Sequence, residues 1–296
     1  MHVNRLTFLL PFISFFCLIS ACVTPLNAPA HLPLSDQQKA DLIAADVIIL
    51  GEIHDNPEHH LIQAELLRNL AAERGIAAIY LEQVPRQQQA ILSAVSKENL
   101  DQAGERLEWQ KSGWPDFALY RPIFEAALDA HIPLVGANIP VASSKSIYTS
   151  GYDGVFSKVE QDQVGLMEPL PPEASERLKQ SIIEGHCNMI PADHAVKMIP
   201  IQRARDAAMA LSFLAAKPQR TPVIYIVGAG HARKDFGIPW YIKRAAPQLK
   251  VWSLGLGEVG QDEEKGMNEV YDHWYRTKAA SRDDPCLKLE KSLHKK

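Results

Sequence analysis

Four stretches of the chain are continuously apolar and stop abruptly at glycine or at a polar side chain. None of them alternates apolar with polar positions, so each is typical of a strand buried on both faces of a parallel sheet. With the residues that end them, the stretches cover 47–54, 77–82, 132–138 and 223–231. After the first stretch, Asn56 and Pro57 read as an N-cap and a proline at the first helical position, which predicts a helix over 56–74.

The same pattern predicts a three-layer, Rossmann-like α/β domain over residues 35–276, with a mainly parallel sheet. Further helices are predicted over 35–45, 85–95, 117–130, 200–216 and 240–246, and a last strand over 251–256. Between residues 141 and 200 the strand–helix rhythm stops and prolines cluster, which predicts an inserted helical cap. Residues 277–296 are charged and are expected to form a flexible tail.

The first four predicted strands all end in residues with functional chemistry. Two of them end in a glycine followed three residues later by histidine, at Gly51–His54 and Gly228–His231. The carboxyl ends of parallel strands lie along one edge of a sheet, where ligands usually bind. We therefore expect five side chains to meet on one rim, and these are Glu52, His54, Glu82, Asn138 and His231.

Two chemistries suit that rim, and a plain hydrogen-bonded rim is the alternative to both. Glu52, His54, Glu82 and His231 are ligand types for a divalent metal, which would activate water. Without a metal, His54 would be a general base oriented by Glu82. Arg205 would either bind an anionic group on a ligand or form a salt bridge with a strand-end glutamate. His59 and His60 are expected to be solvated on the first turn of their helix.

The cap contains three further candidates. Tyr148 and Tyr152 lie one helical turn apart if that segment is helical, and tyrosine is a known axial ligand of haem. His186 precedes Cys187 in a segment without the usual metal-binding spacing, which favours a buried cysteine beside a surface histidine. Cys187 and Cys286 would either pair in an oxidising compartment or remain two free thiols.

The N-terminus is typical of a secreted protein. Residues 1–21 combine one basic residue with an apolar region and small residues before Cys22, and they resemble a bacterial lipoprotein signal. The chain would be cleaved before Cys22, and that cysteine would be lipidated (palmitate). A tether over 22–34 would then hold the domain at a membrane, and Val23 favours the outer membrane. An uncleaved anchor is the alternative, although the apolar region is short for a span. The net charge of −4 argues against a nucleic-acid partner.

The segments GEIHDNPEHH, LEQVPRQQQ, EGHCNMIP, IQRARDAAMA and GAGHAR, in this order, resemble the ChaN family of haem-binding lipoproteins. Erythromycin esterases, TraB and the Tiki proteases form the wider superfamily. The resemblance implies an outer-membrane lipoprotein in haem and iron uptake, which works with a haem receptor. It implies a haem pair at a homodimer interface, with tyrosine as axial ligand and histidine at a propionate. Tyr148 or Tyr152, His186 and Arg205 are the residues expected to bind haem here.

The esterase and protease relatives imply a different use of the rim. For them His54, Glu82 and His231 would be catalytic, and the protein would be a metal- or histidine-dependent hydrolase. A non-enzymatic haem carrier is the preferred hypothesis, and the hydrolase is its alternative.

Overall fold

A computed structural model describes residues 32–216, 222–260, 266–284, 286–287 and 289–290. The predicted signal peptide, Cys22 and all of the tether before residue 32 lie outside these residues, so their predictions stay open. No helix of the described ranges is long and apolar enough to cross a membrane.

Six parallel strands form one sheet in the order β3-β2-β4-β1-β5-β6. The strands are β1 (Val47–Glu52), β2 (Ala78–Pro85), β3 (Leu134–Asn138), β4 (Val223–Gly228), β5 (Val251–Glu258) and β6 (His273–Thr277). The predicted parallel α/β fold is therefore confirmed. Sequence analysis missed β6, because His273 to Arg276 in this edge strand are only partly apolar and stay partly or fully exposed.

Twelve α-helices are found in the described ranges. They are α1 (Asp36–Ala44), α2 (Pro57–Glu73), α3 (Gln89–Ser93), α4 (Ala103–Arg106), α5 (Trp109–Ser112), α6 (Phe117–Asp129), α7 (Val141–Ser150), α8 (Lys158–Gln163), α9 (Pro172–Gly185), α10 (Ala192–Ala216), α11 (Ile238–Ala245) and α12 (Met267–Val270). The helix expected to start at residue 200 begins earlier, and Pro200 lies inside α10. A boundary was expected there because proline usually interrupts a helix.

Both faces of the sheet are covered, as the continuous apolar strands require. Ile48 and Leu50 of β1 pack with α1, α2 and α6 on one face. Val47 and Ile49 pack on the other face with α7, α10 and α11. The alternate residues of each strand thus enter two separate cores, which gives the three layers.

The cap and the C-terminal residues are joined covalently. The end of α9 packs on α10 through a small core that includes Ile182, Ala195 and Phe236. Cys187, just beyond α9, forms a disulfide with Cys286. Of the two cysteine states that the sequence left open, the structure thus has the pair. The tail expected from residue 277 begins at the last residue of β6 and includes this bonded cysteine.

Candidate functional site

The rim at the carboxyl ends of the strands opens into two adjoining cavities. The rim cavity, about 480 Å³, is lined by residues that include His54, Glu52, His186 and His231. The side cavity, about 440 Å³, is lined by residues that include Asn138, Val141, Ser144 and Lys111. Glu82, Trp114 and Arg205 line both cavities, so the two form one cleft between the sheet and the cap.

Glu52 is a buried carboxylate that holds His54. Its Oε1 atom lies 2.9 Å from His54 Nδ1, and it also accepts hydrogen bonds from the Tyr120 hydroxyl at 2.7 Å and Gln83 Nε2 at 3.2 Å. Burial alone would raise the pKa of Glu52, but His60 and His54 outweigh it and lower that pKa to about 2. Glu52 is therefore a fixed anion behind the rim.

His54 is the accessible member of this pair. Its side chain is 32% exposed, and its ring meets Trp114 edge-on with the centroids 4.7 Å apart. Burial opposes a positive charge on His54, yet the hydrogen bond to Glu52 and the charge of Glu82 raise its pKa. The free Nε2 approaches the backbone of β4, where a Cβ atom on Gly228 would lie 2.8 Å from it. Glycine at position 228 thus leaves room for the ring.

Glu82 is the centre of a second ionic cluster. Its Oε1 atom pairs with Arg205 and lies 3.2 Å from His231 Nε2, and its Oε2 atom accepts the Gly228 backbone N–H at 2.7 Å. Burial would raise the pKa of Glu82, but His231 and Arg205 hold it well below its usual value. Sequence analysis expected Glu82 to orient His54; in the structure Glu52 has that contact.

His231 lies between two carboxylates. Asp206 Oδ1 is 2.6 Å from Nδ1, and Glu82 is on the other nitrogen, so both ring nitrogens donate. Burial would lower the pKa of His231, but the charges of Glu82 and Asp206 raise it to about 9. At neutral pH His231 is therefore a buried cation and has no free lone pair for a metal or a proton.

The four expected metal ligands separate into two ion pairs, Glu52 with His54 and Glu82 with His231. Within the ranges that the structure describes, no group of three or more His, Cys, Asp or Glu residues could hold a metal ion. The four residues are therefore not arranged as one group of ligands in this structure, and the metal site stays a prediction. Arg205 pairs with Glu82, and Asp206 pairs with His231, so both of these side chains are already held by other residues of the protein.

His59 and His60 are fully buried, and their expected exposure is wrong. His59 Nδ1 accepts the Ile53 backbone N–H at 2.9 Å, and its Nε2 lies 2.8 Å from the Thr277 hydroxyl. Burial lowers the pKa of His59 to about 4, so this histidine is neutral. For His59 the error follows from missing β6, whose last residue, Thr277, contacts the ring. His60 is buried against Tyr120 of α6, with the ring centroids 4.3 Å apart.

The candidates in the cap differ in their surroundings. Tyr148 is 49% exposed on α7, whereas Tyr152 lies against the core beside Phe156, with ring centroids 6.4 Å apart. His186 lines the rim cavity, and its Nδ1 donates to the Ile182 carbonyl at 2.7 Å, which leaves Nε2 free. Tyr148 does not line either cavity, but Val141 and Ser144, on the preceding turns of α7, line the side cavity.

Sequence analysis missed several residues that complete the site. Tyr120 and Gln83 support Glu52, Asp206 supports His231, and Trp114 contacts His54. Tyr120 and Trp114 lie outside the strand ends, where a single sequence carries no signal for them. Asp206 directly follows Arg205 in α10, and its side chain faces His231 because adjacent helical positions point about 100° apart.

Three comparisons place the chain among known proteins. Residues 39–242 match the family described as haem-binding uptake, Tiki superfamily, ChaN. No match was found among curated protein sequences. A structure of ChaN of Campylobacter jejuni, described as cofacial heme binding, is 21% identical with a TM-score of 0.57, over 77% of this chain and 88% of that chain.

An erythromycin esterase in its open conformation is 14% identical with a TM-score of 0.40, over 73% of this chain and 71% of that one. The type III effector HopBA1 is 15% identical with the same TM-score, over 80% and 91%. The ChaN structure thus supports the fold, and the family match covers more than half of the sequence. The chain belongs to the ChaN family of haem-binding uptake proteins in the Tiki superfamily.

Proposed function

We propose that this protein binds haem on the cap side of the cleft, with Tyr148 as the axial ligand of the iron. Membership of a haem-binding uptake family supports haem as the ligand. The observation that carries the choice of ligand is the exposure of Tyr148, which is 49% exposed on α7. A tyrosine can bind haem iron only if its oxygen reaches the face of the porphyrin.

Tyr152 is the poorer candidate. It packs against the core beside Phe156, and burial raises the pKa of its hydroxyl. A tyrosine that binds ferric iron gives up its proton, so burial opposes that state. Of the two tyrosines that the sequence left open, Tyr148 is therefore our choice.

The surroundings of α7 suit a flat, largely apolar ligand with two carboxylates. Val141 is 79% exposed on α7, with Ser144 beside it on the same helix, and both line the side cavity. Lys111 and Arg205 line that cavity too and would meet propionates. His186, with a free Nε2 in the rim cavity, is a further candidate for a propionate.

A homodimer that holds two haem groups face to face is part of this proposal. The ChaN structure of Campylobacter jejuni is described as cofacial heme binding. In the described part of this chain, ten large apolar side chains are exposed, and six of them lie in the cap. They are Val141, Tyr148, Val159, Met167, Met189 and Val196. Such concentration of exposed apolar surface is typical of an interaction face.

The proposal includes the location that the N-terminus predicts. Lipidation of Cys22 would anchor the domain to the outer membrane, where it would pass haem to or from a receptor. Mass spectrometry of the protein from membranes tests this part: a diacylglyceryl group on Cys22 supports it, and an intact N-terminus contradicts it.

Haemin titration of the domain from residue 32 tests the ligand. We expect a saturable Soret shift and a tyrosinate-to-iron charge-transfer band in the wild type. Y148F should lose that band and weaken binding about tenfold or more, which is ~1.4 kcal/mol. Y152F is the matched control and should keep the band. The assignment fails if Y152F loses the band and Y148F keeps it.

A hydrolase is the second candidate, and the Glu52–His54 pair favours it. The buried carboxylate orients His54, and the partly exposed His54 side chain lines the rim cavity, as a general base requires. Glu82 and His231, the other two expected catalytic residues, would act as a fixed charge pair, because each is already paired. Screening ester and amide substrates against wild type and H54Q tests this candidate; turnover that H54Q retains would exclude His54 as the base.

A further inference from the structure

We propose that residues 278–284, together with Cys286, form a redox-sensitive strap that sets how far the cleft opens between the β1–α2 turn and the end of α9. The strap is bound at one side by polar contacts and at the other by the Cys187–Cys286 disulfide. The proposal goes beyond haem binding, since it concerns the opening of the cleft whatever ligand enters it.

The first half of the strap lies against the β1–α2 turn. The Lys278 carbonyl accepts a hydrogen bond from Asn56 Nδ2 at 3.0 Å, and the Ala280 backbone N–H donates to Glu258 at 2.9 Å. Arg282 pairs with Glu258 and lies 2.9 Å from Asp55 Oδ2. Asp55 directly follows His54, so the strap is attached to the turn that carries this rim histidine.

The second half reaches the opposite wall of the cleft. Cys286 is bonded to Cys187, which directly follows His186. His186 and Gly185 line the rim cavity, as His54 does. The strap therefore links the two walls of that cavity covalently on one side and through Arg282 on the other.

The backbone at the cap end needs to be held in place. Cys187 and Asn188 both have a φ of 57°, in the left-handed region that is unfavourable for residues other than glycine. Backbone hydrogen bonds from Cys187 to Glu184 and from Asn188 to Ile183 close the end of α9 in this conformation. A cysteine adopts this backbone conformation less readily than glycine would. The disulfide adds a constraint that helps to hold Cys187 in it.

Reduction by a dithiol would release this constraint. The dithiol transfers two electrons and two protons, so that the S–S bond breaks, two cysteine thiols form and the reductant becomes a disulfide. The closed loop contains about a hundred residues, since the two cysteines are 99 positions apart. The end of α9, with His186, then keeps its packing on α10 but loses its covalent link to the strap.

Hydrogen exchange of the mature protein without haem tests the strap directly. In the presence of a dithiol, we expect amides of residues 183–190 and 279–284 to exchange about tenfold faster, and reoxidation to restore protection. Diethyl pyrocarbonate should modify His186 and His54 faster in the reduced protein. The buried His60 is the internal control and should not respond.

Two variants separate the covalent link from the polar one. The double variant C187S/C286S should behave like the reduced wild type and show no further response to the dithiol. R282Q keeps the disulfide and should speed exchange only in residues 279–284. Unchanged exchange on reduction, or an equal effect of the dithiol on the double variant, would overturn the proposal. Because no haem is present, failure here leaves the haem assignment unaffected.

Discussion

Replacing Asp206 by asparagine tests whether His231 is a buried cation. Asparagine keeps an oxygen that can accept the Nδ1 proton at the observed 2.6 Å, but it removes the negative charge. The pKa of His231 is raised from an ordinary 6.5 to about 9, chiefly by Glu82 and Asp206 acting against burial. With one of two carboxylates neutralised, we expect D206N to lower the pKa of His231 by about one unit or more.

The same pKa determines how stability depends on pH. A group whose pKa is raised on folding stabilises the protein fully below its unfolded pKa and loses that effect as the pH rises through the folded pKa. For His231 this window runs from about 6.5 to about 9, and the loss amounts to at most ~3 kcal/mol. At pH 7 the free energy of unfolding of D206N should be lower by ~1 kcal/mol. The loss stays this small because burial raises the pKa of Asp206 itself, so removing its charge recovers part of the free energy spent on burying that charge.

The assay combines NMR titration of the His231 ring nitrogens with denaturant unfolding at pH 7 and pH 10. E52Q is the matched control: it neutralises the carboxylate on His54 and should leave the pKa of His231 nearly unchanged. A wild-type His231 that titrates below 6.5, or a D206N variant whose His231 still titrates near 9, would refute the ionic account of the rim.

Two further predictions follow from the same geometry. E52Q should lower the pKa of His54, measured by NMR, because the hydrogen bond to Glu52 raises that pKa. E52Q should also lose less stability than the wild type between about pH 4.5 and 2, because the wild type protonates Glu52 in this range. If the pKa of His54 rises instead, Glu52 does not hold the ring. Gly51→Ala should destabilise by ~2 kcal/mol or more in denaturant unfolding, since its Cβ would lie 2.8 Å from Ala229 Cα. Gly230→Ala, with open space at its Cβ, should cost less than ~1 kcal/mol, and equal losses in the two variants would contradict the packing around β1.

The sequence by itself determined the central layer of the fold. Strands buried on both faces carry long apolar runs, and their ends stand out because glycine and charged residues follow at once. Such local signals predicted four of the six strands together with the polar residues that end them, and a fifth strand from its apolar run alone. They also predicted the start of α2 at Asn56. The rim could be predicted for the same reason, since the topology of a parallel sheet brings strand ends together.

Only the tertiary structure decided which partners these side chains have. Glu52 and Glu82 both lie at the end of a predicted strand, yet Glu52 holds His54 whereas Glu82 pairs with Arg205 and His231. Tyr120, which donates to Glu52, comes from α6, and Arg205, which pairs with Glu82, comes from α10; the positions of both helices depend on packing over long sequence separations. The edge strand β6, the burial of His59 and the Cys187–Cys286 bond also depend on such contacts. Periodicity encodes which face of an element is apolar, whereas the pairing of polar groups depends on where distant elements pack.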